Sequence, residues 1–182
     1  MLIDARQSAL LVVDVQARLL PAISGWQRLL SDVVWLLQVA RRMEVSVLAC
    51  QQYPKGLGTI HPDVAAELDP ACVADKIHFS AVADDALGLT LTNSDAPAQF
   101  VVCGIESHVC VLQTVLDLRA HGKSVFVVAE GVGSRRESDK TLALARMHDA
   151  GAIIVSREMV AFEWLRRADT DLFREVSRDF LR

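Results

Sequence analysis

The chain has 182 residues, 52% of them hydrophobic, with a net charge of −4 and a pI near 5.7. This length and apolar content fit one domain over 1–182 with a full core and exclude disorder. No basic block is present and the apolar runs are short, which argues against a nucleic-acid partner, an anionic membrane surface or a membrane span.

The opening MLIDARQSA has no cationic start before a hydrophobic stretch, so it does not read as a signal peptide. Residues 8–13, SALLVV, form an unbroken apolar run, which reads as a buried strand with Asp14 at its C-terminal end. Residues 16–25 read as a loop broken by Pro21 and Gly25. A helix is predicted over 26–43, because Trp26, Leu29, Leu30, Val33, Leu37 and Ala40 recur at spacings of three and four. Arg41 and Arg42 suit its negative C-terminal end. Residues 45–50 are a second strand, followed by a Gly/Pro-rich loop over 51–58. A short helix over 61–68, a short extended piece over 72–80, a helix over 84–91 and a loop over 93–98 follow.

Residues 99–118, QFVVCGIESHVCVLQTVLDL, organise the chain. Phe100 to Cys103 read as a buried strand, Gly104 breaks it, and apolar residues return at helical spacing after Ser107. Cys110 then lies in the first turn of a helix, where free N–H groups and the helix dipole favour a thiolate. That helix ends at His121-Gly122, a left-handed cap. A strand over 124–129 follows, then Ser134-Arg135-Arg136-Glu137 with the spacing of a capping box and a helix to Ala150. A strand over 152–155 and helices over 158–167 and 171–181 close the chain.

This alternation implies an α/β fold: three layers, Rossmann-like, with a mostly parallel sheet of about six strands and helices on both faces. Ligands of such sheets sit outside the C-terminal strand edge, where Asp14, residues 50–53, residues 104–110 and residues 130–134 all map. Of the four cysteines, Cys50 and Cys103 end apolar runs and read as small buried hydrophobes, while Cys72 has no evident activating partner. No Cys/His set has zinc spacing, and a reduced, cytoplasmic setting is expected. An acid at a strand end, a lysine at position 76 and a cysteine at a helix N-terminus together can make an activated nucleophile, though each alone has an ordinary structural reading.

Here the chain resembles a family. LLVVDVQ (10–16), DKIHFSA (75–81) and CGIESHVCV (103–111) resemble the three signatures of isochorismatase-like cysteine hydrolases, and AEGVGSR (129–135) and DAGAIIV (149–155) fit the same pattern. QQYPKGLG and GIESHVCV are most similar to the isochorismatase domain-containing subgroup. The resemblance implies a catalytic Asp14, Lys76 and Cys110, a cis peptide between Ile105 and Glu106, and an oxyanion hole from the backbone N–H groups of Glu106 and Cys110. It implies cleavage of a small amide or related acyl substrate through a thioester, with Asp14 as the proton carrier. Gln16, Tyr53 and Phe79 are candidate pocket residues.

Nicotinamidases of the superfamily bind a metal through an Asp-x-His and a second His after strand two. Here Cys50-Gln51-Gln52-Tyr53 stands in that place, so no metal and no cofactor are expected. Glu106 and His108 either shape specificity or face solvent. Gly131-Val132-Gly133 half-matches a dinucleotide fingerprint but lacks its third glycine. Competing readings are a non-enzymatic oligomeric interaction protein and a redox-sensing thiol protein that retain the fold. A homo-oligomer, dimer or larger, is expected from the resemblance.

Overall fold

A computed structural model describes residues 1–181. Six strands form one sheet: β1 (Ser8–Val13), β2 (Ser46–Gln52), β3 (Val73–Lys76), β4 (Gln99–Ile105), β5 (Ser124–Gly133) and β6 (Ile153–Val155). Their order is β3-β2-β1-β4-β5-β6, and every pairing is parallel. The helices are α1 (Trp26–Arg42), α2 (Pro54–Leu57), α3 (Pro62–Ala65), α4 (Asp85–Thr92), α5 (Leu112–Ala120), α6 (Glu137–Asp149), α7 (Arg157–Leu165) and α8 (Asp171–Phe180).

The strands are apolar on both sides because both faces are covered. Leu10, Val12, Val101, Cys103, Phe126 and Val128 pack under α1 and α7. The alternate residues Leu11, Val13, Cys50, Phe100, Val102 and Val127 pack against α5 and α6. The two-residue period of a strand sends Cys50 and Cys103 to opposite faces.

The chain direction of travel reverses between β1 and β4, which lie side by side, and this opens a crevice at their C-terminal ends. Gly104 closes β4 against β1 there. Its φ is 126°, and a Cβ at this position would stand 2.0 Å from the carbonyl oxygen of Val13. No side chain fits that approach.

Several elements depart from the sequence reading. β2 runs on to Gln52, past the expected end at Cys50, because Gln51 and Gln52 pair with Asp75 and Lys76 of β3. Within the expected loop over 16–25, Leu20–Ala22 forms a 3-10 turn. The central helix does not begin as an α-helix: Ser107–Val111 is a π turn, in which Glu106 O accepts from the N–H of Val109 (3.0 Å) and Val111 (3.2 Å).

Ser134 does not cap α6. Its Oγ lies 3.0 Å from His108 Nδ1, and α6 starts at Glu137 after an extended Arg136 with no side-chain cap. β5 extends through Gly133, so the glycine pair belongs to a strand and not to a phosphate-cradling loop. A Cβ at Gly133 would meet Leu29 Cδ1 at 2.4 Å, so tight packing against α1 accounts for that glycine. No helix among the described residues is long and apolar enough to cross a membrane.

Candidate active site

Four strand ends supply the site. Asp14 follows β1 with φ 53°, a left-handed turn that an aspartate tolerates, and its N–H donates to Cys50 O at 3.0 Å. Lys76 is the last residue of β3, two strands away from β1, and its long side chain reaches across. Its Nζ stands 2.7 Å from Asp14 Oδ2, and both side chains are essentially inaccessible to water.

The ammonium is held on all sides. It donates to Gln52 Oε1 at 2.6 Å and to the carbonyls of Phe79 (3.0 Å) and His78 (3.2 Å). Three N–H bonds are therefore spent on three oxygens, and Asp14 Oδ2 is bound as an ion-pair contact with no donor aligned on it. The other carboxylate oxygen, Oδ1, accepts from the Cys50 thiol at 3.4 Å.

Cys110 sits in the π turn after β4, buried and near enough to Asp14 and Lys76 to feel the charge of both. The structure thus brings Asp14, Lys76 and Cys110 together at the β1/β4 crevice. The peptide bond between Ile105 and Glu106 is cis. The carbonyl of Glu106 takes the N–H groups on either side of Cys110, those of Val109 and Val111, and no hydrogen bond from Cys110 N–H to it is formed.

Electrostatics correct one expectation. The dipole of a helix N-terminus favours a thiolate, yet the Cys110 thiol is pushed up to about 12 by burial and by the neighbouring Asp14 carboxylate, against the opposing pull of Lys76. Cys110 therefore rests as a thiol at neutral pH. Burial also raises Asp14, with Lys76 and the two thiols working against that rise. Burial is the largest single influence and pulls Lys76 down, but Asp14 together with Cys50 and Cys110 outweighs it and leaves the lysine raised and charged.

The pocket residues divide. Gln16 is wholly buried and its amide is committed: Oε1 accepts from Gln52 N (2.8 Å), and Nε2 donates to Gln52 O (3.0 Å) and Gly58 O (2.5 Å). It fixes the end of β2, with both amide protons engaged. Tyr53 and Phe79 are half exposed at the site's rim, on the loops after β2 and β3, and Tyr53 N–H donates to Lys76 O at 2.8 Å. Neither Glu106 nor His108 is free in solvent: Glu106 Oε2 accepts from Arg135 Nε (3.0 Å) and Arg135 N (3.2 Å), and His108 meets Ser134. They staple the Cys110 turn to the loop before α6.

Sequence reasoning missed Cys50 and Gln52, whose roles depend on the register that sets Cys50 level with Val13 and Gln52 level with Lys76. It also missed Ser107, whose buried hydroxyl has no partner among the described residues. The metal-ligand position after β2 is taken by amides already engaged, Gln51 with Asp75 (2.7 Å) and Ile60 N (3.1 Å) and Gln52 with Lys76. Among the described residues no group of three or more His, Cys, Asp or Glu is placed to hold a metal. A cleft of about 380 Å³ lies elsewhere, beside Arg28, Asp32, Glu130 and Lys140.

Known proteins share this arrangement of chain. The family described as Isochorismatase domain matches residues 8–159. Isochorismatase domain-containing protein 2A of Mus musculus is 34% identical over 172 residues, covering 94% of this chain and 81% of that protein. Its counterpart in Danio rerio is 31% identical, covering 97% and 88%. Among solved structures, MAR1 ribonuclease from Caenorhabditis elegans superposes with a TM-score of 0.92 at 32% identity, covering all of this chain and 93% of that one. The YcaC gene product from Escherichia coli, an octameric hydrolase of unknown specificity, superposes with a TM-score of 0.89 at 24% identity, covering 100% and 93%. The matched stretch takes in β1 through the start of α7, and with it every strand end that builds the crevice, so the chain belongs to the isochorismatase family, in the branch of the isochorismatase domain-containing proteins.

Proposed function

We propose that this member of a hydrolase family is a metal-independent cysteine hydrolase that cleaves a small amide or related acyl substrate through a thioester on Cys110. The observation that carries the reading is one carboxylate in contact with both an ammonium and a thiol in a site closed to water. A binding module has no need of that trio. The Cys110 proton passes to Asp14 as Sγ attacks the carbonyl carbon, and Lys76 keeps the carboxylate in place. The N–H groups of Glu106 and Cys110 hold the oxyanion. Collapse breaks the C–N bond, and Asp14 gives its proton to the leaving amine. Water then attacks the thioester, one of its protons passing through Asp14 back to Sγ, and the acid leaves. The sum is amide plus water to acid plus amine. Tyr53 and Phe79 offer apolar surface at the entrance.

Intact-mass analysis during turnover of a small-amide panel tests this. An acyl adduct on Cys110 that builds up and decays is expected, and Cys110→Ala should lose adduct and turnover while keeping its fold. Hydrolysis that survives in Cys110→Ala, or that a chelator abolishes, would sink the mechanism. The name of the Caenorhabditis elegans relative raises RNA cleavage as a second reading. An RNA groove needs free cations for phosphates, whereas Lys76 is buried and paired and Arg135 is held by Glu106. Release of fragments from labelled RNA that stops in Asp14→Asn would favour it over the acyl reading.

Assembly into a homo-oligomer is part of the proposal. Tyr53, Ile77 and Phe79 are 50%, 65% and 53% exposed beside the site, an apolar rim that a second copy would cover. Sedimentation should give a dimer or larger species, and a monomer at micromolar concentration would refute it.

A further inference from the structure

We propose that Cys50 is a positioning residue that holds the Asp14 carboxylate in its working orientation and ionisation state. The inference rests on the thioester reading and deepens it.

Cys50 is wholly buried on the same sheet face as Cys110, and its Sγ lies 3.4 Å from Asp14 Oδ1. It is level with Val13 in the β1/β2 register, and its carbonyl accepts the Asp14 N–H. Backbone and side chain of one residue thus bind backbone and side chain of the next strand's aspartate. A thiol that merely filled the core, as Cys103 does on the opposite face, would have no polar partner.

The two carboxylate oxygens are consequently unequal. Oδ1 accepts from Cys50, and Oδ2 lies against Lys76 with no aligned donor. A donor on Oδ1 restrains rotation of the carboxylate and so keeps Oδ2 against Lys76. A donor on Oδ1 also favours the charged form of Asp14. That adds to Lys76 in opposing the burial that raises this carboxyl. The groups facing Asp14 are Cys50 from β2, Lys76 from β3 and Cys110 from the turn after β4. Lys76 and Cys50 take no part in the proposed proton transfer, and of the two it is Cys50 whose thiol is directed at Oδ1.

The test is the pH profile of iodoacetamide labelling at Cys110, read by peptide mass spectrometry. It requires no knowledge of the substrate. The acid limb of that profile reports loss of the Asp14 proton. In Cys50→Ala the donor is gone, so the limb should move to higher pH by roughly one unit. In Cys50→Ser a hydroxyl replaces the thiol, and the limb should return most of the way to its original position. Melting curves of both variants serve as the fold control. If the Cys50→Ala limb coincides with wild type, or if Cys50→Ser shifts as far as Cys50→Ala, Cys50 is packing only and the inference fails. If wild-type Cys110 shows no acid limb at all, the thioester reading fails with it. The wild-type profile therefore tells the two failures apart.

Discussion

In the proposed mechanism one proton passes between Cys110 and Asp14, and the consequences separate two measurements that are usually taken together. The thiol's value of about 12 has two upward causes, burial first and the Asp14 carboxylate second, with Lys76 opposing them. Asp14→Asn removes the second cause and leaves Lys76 without a counter-charge. The Cys110 titration should then come down from about 12, and alkylation should lose its acid limb while gaining an inflection at lower pH than the free thiol of the wild type would show. Turnover should move the other way and fall by roughly 10²–10⁴, because no group is left to carry the proton to the leaving amine. Parallel stopped-flow alkylation and substrate assays check this. Equal losses in both would mean that Asp14 acts only by holding the fold. The direction of the Cys110 shift was not legible in the sequence. A helix N-terminus announces itself in residue order, but burial and the carboxylate from another strand do not.

Among the elements, the strand-turn-helix after β4 bears the tightest constraint. Gly104 has φ 126° and its missing Cβ would sit 2.0 Å from Val13 O, so backbone strain and collision act together. Gly104→Ala should cost about 3 kcal/mol or more, or roughly 10 °C in a domain of this size, and should distort the site as β4 backs away from β1. Thermal denaturation measures it, and a shift under about 2 °C would contradict the close approach. Elements with strong period were readable: β1 and α1 stand where runs and spacings put them, and β4 and β5 are found there but run longer. The order of the three signature segments likewise led to Asp14, Lys76 and Cys110. The elements that misread were those whose ends are set by partners in space. β2 is lengthened by β3, and Ser134 is drawn away from capping by His108. Gln16 falls in a signature segment, yet its amide serves the loop after β2, a contact 42 residues distant in sequence at Gly58.

At the scale of the whole molecule, the α1 layer is closed by the C-terminal segment through one charged and aromatic knot. Arg157 of α7 donates to Asp32 of α1 at 2.6 Å and lies 4.7 Å from the Trp35 ring centre. Trp35 Nε1 donates to Phe180 O at 3.0 Å, and the two rings meet edge to face. Asp32 is buried with one oxygen unpartnered among the described residues, so burial raises its carboxyl while Arg157 pulls it down. A carboxyl raised on folding binds its proton more tightly in the native state. Its effect on stability is therefore most favourable below the unfolded value of about 3.9 and worsens as pH rises through the folded one. Arg157→Ala removes the lowering partner, pushes Asp32 higher still and widens that window upward. Breaking a buried pair can cost several kcal/mol, but Arg157 is 32% exposed and solvent screens part of its charge, so about 1–2 kcal/mol is expected at neutral pH. That deficit should shrink on acidification toward pH ~4, as Asp32 takes up its proton in the folded chain. Urea denaturation of wild type and variant at several pH values measures the difference directly. A deficit of constant size across the range would assign the whole loss to the stacking of Arg157 on Trp35, and none to the buried charge.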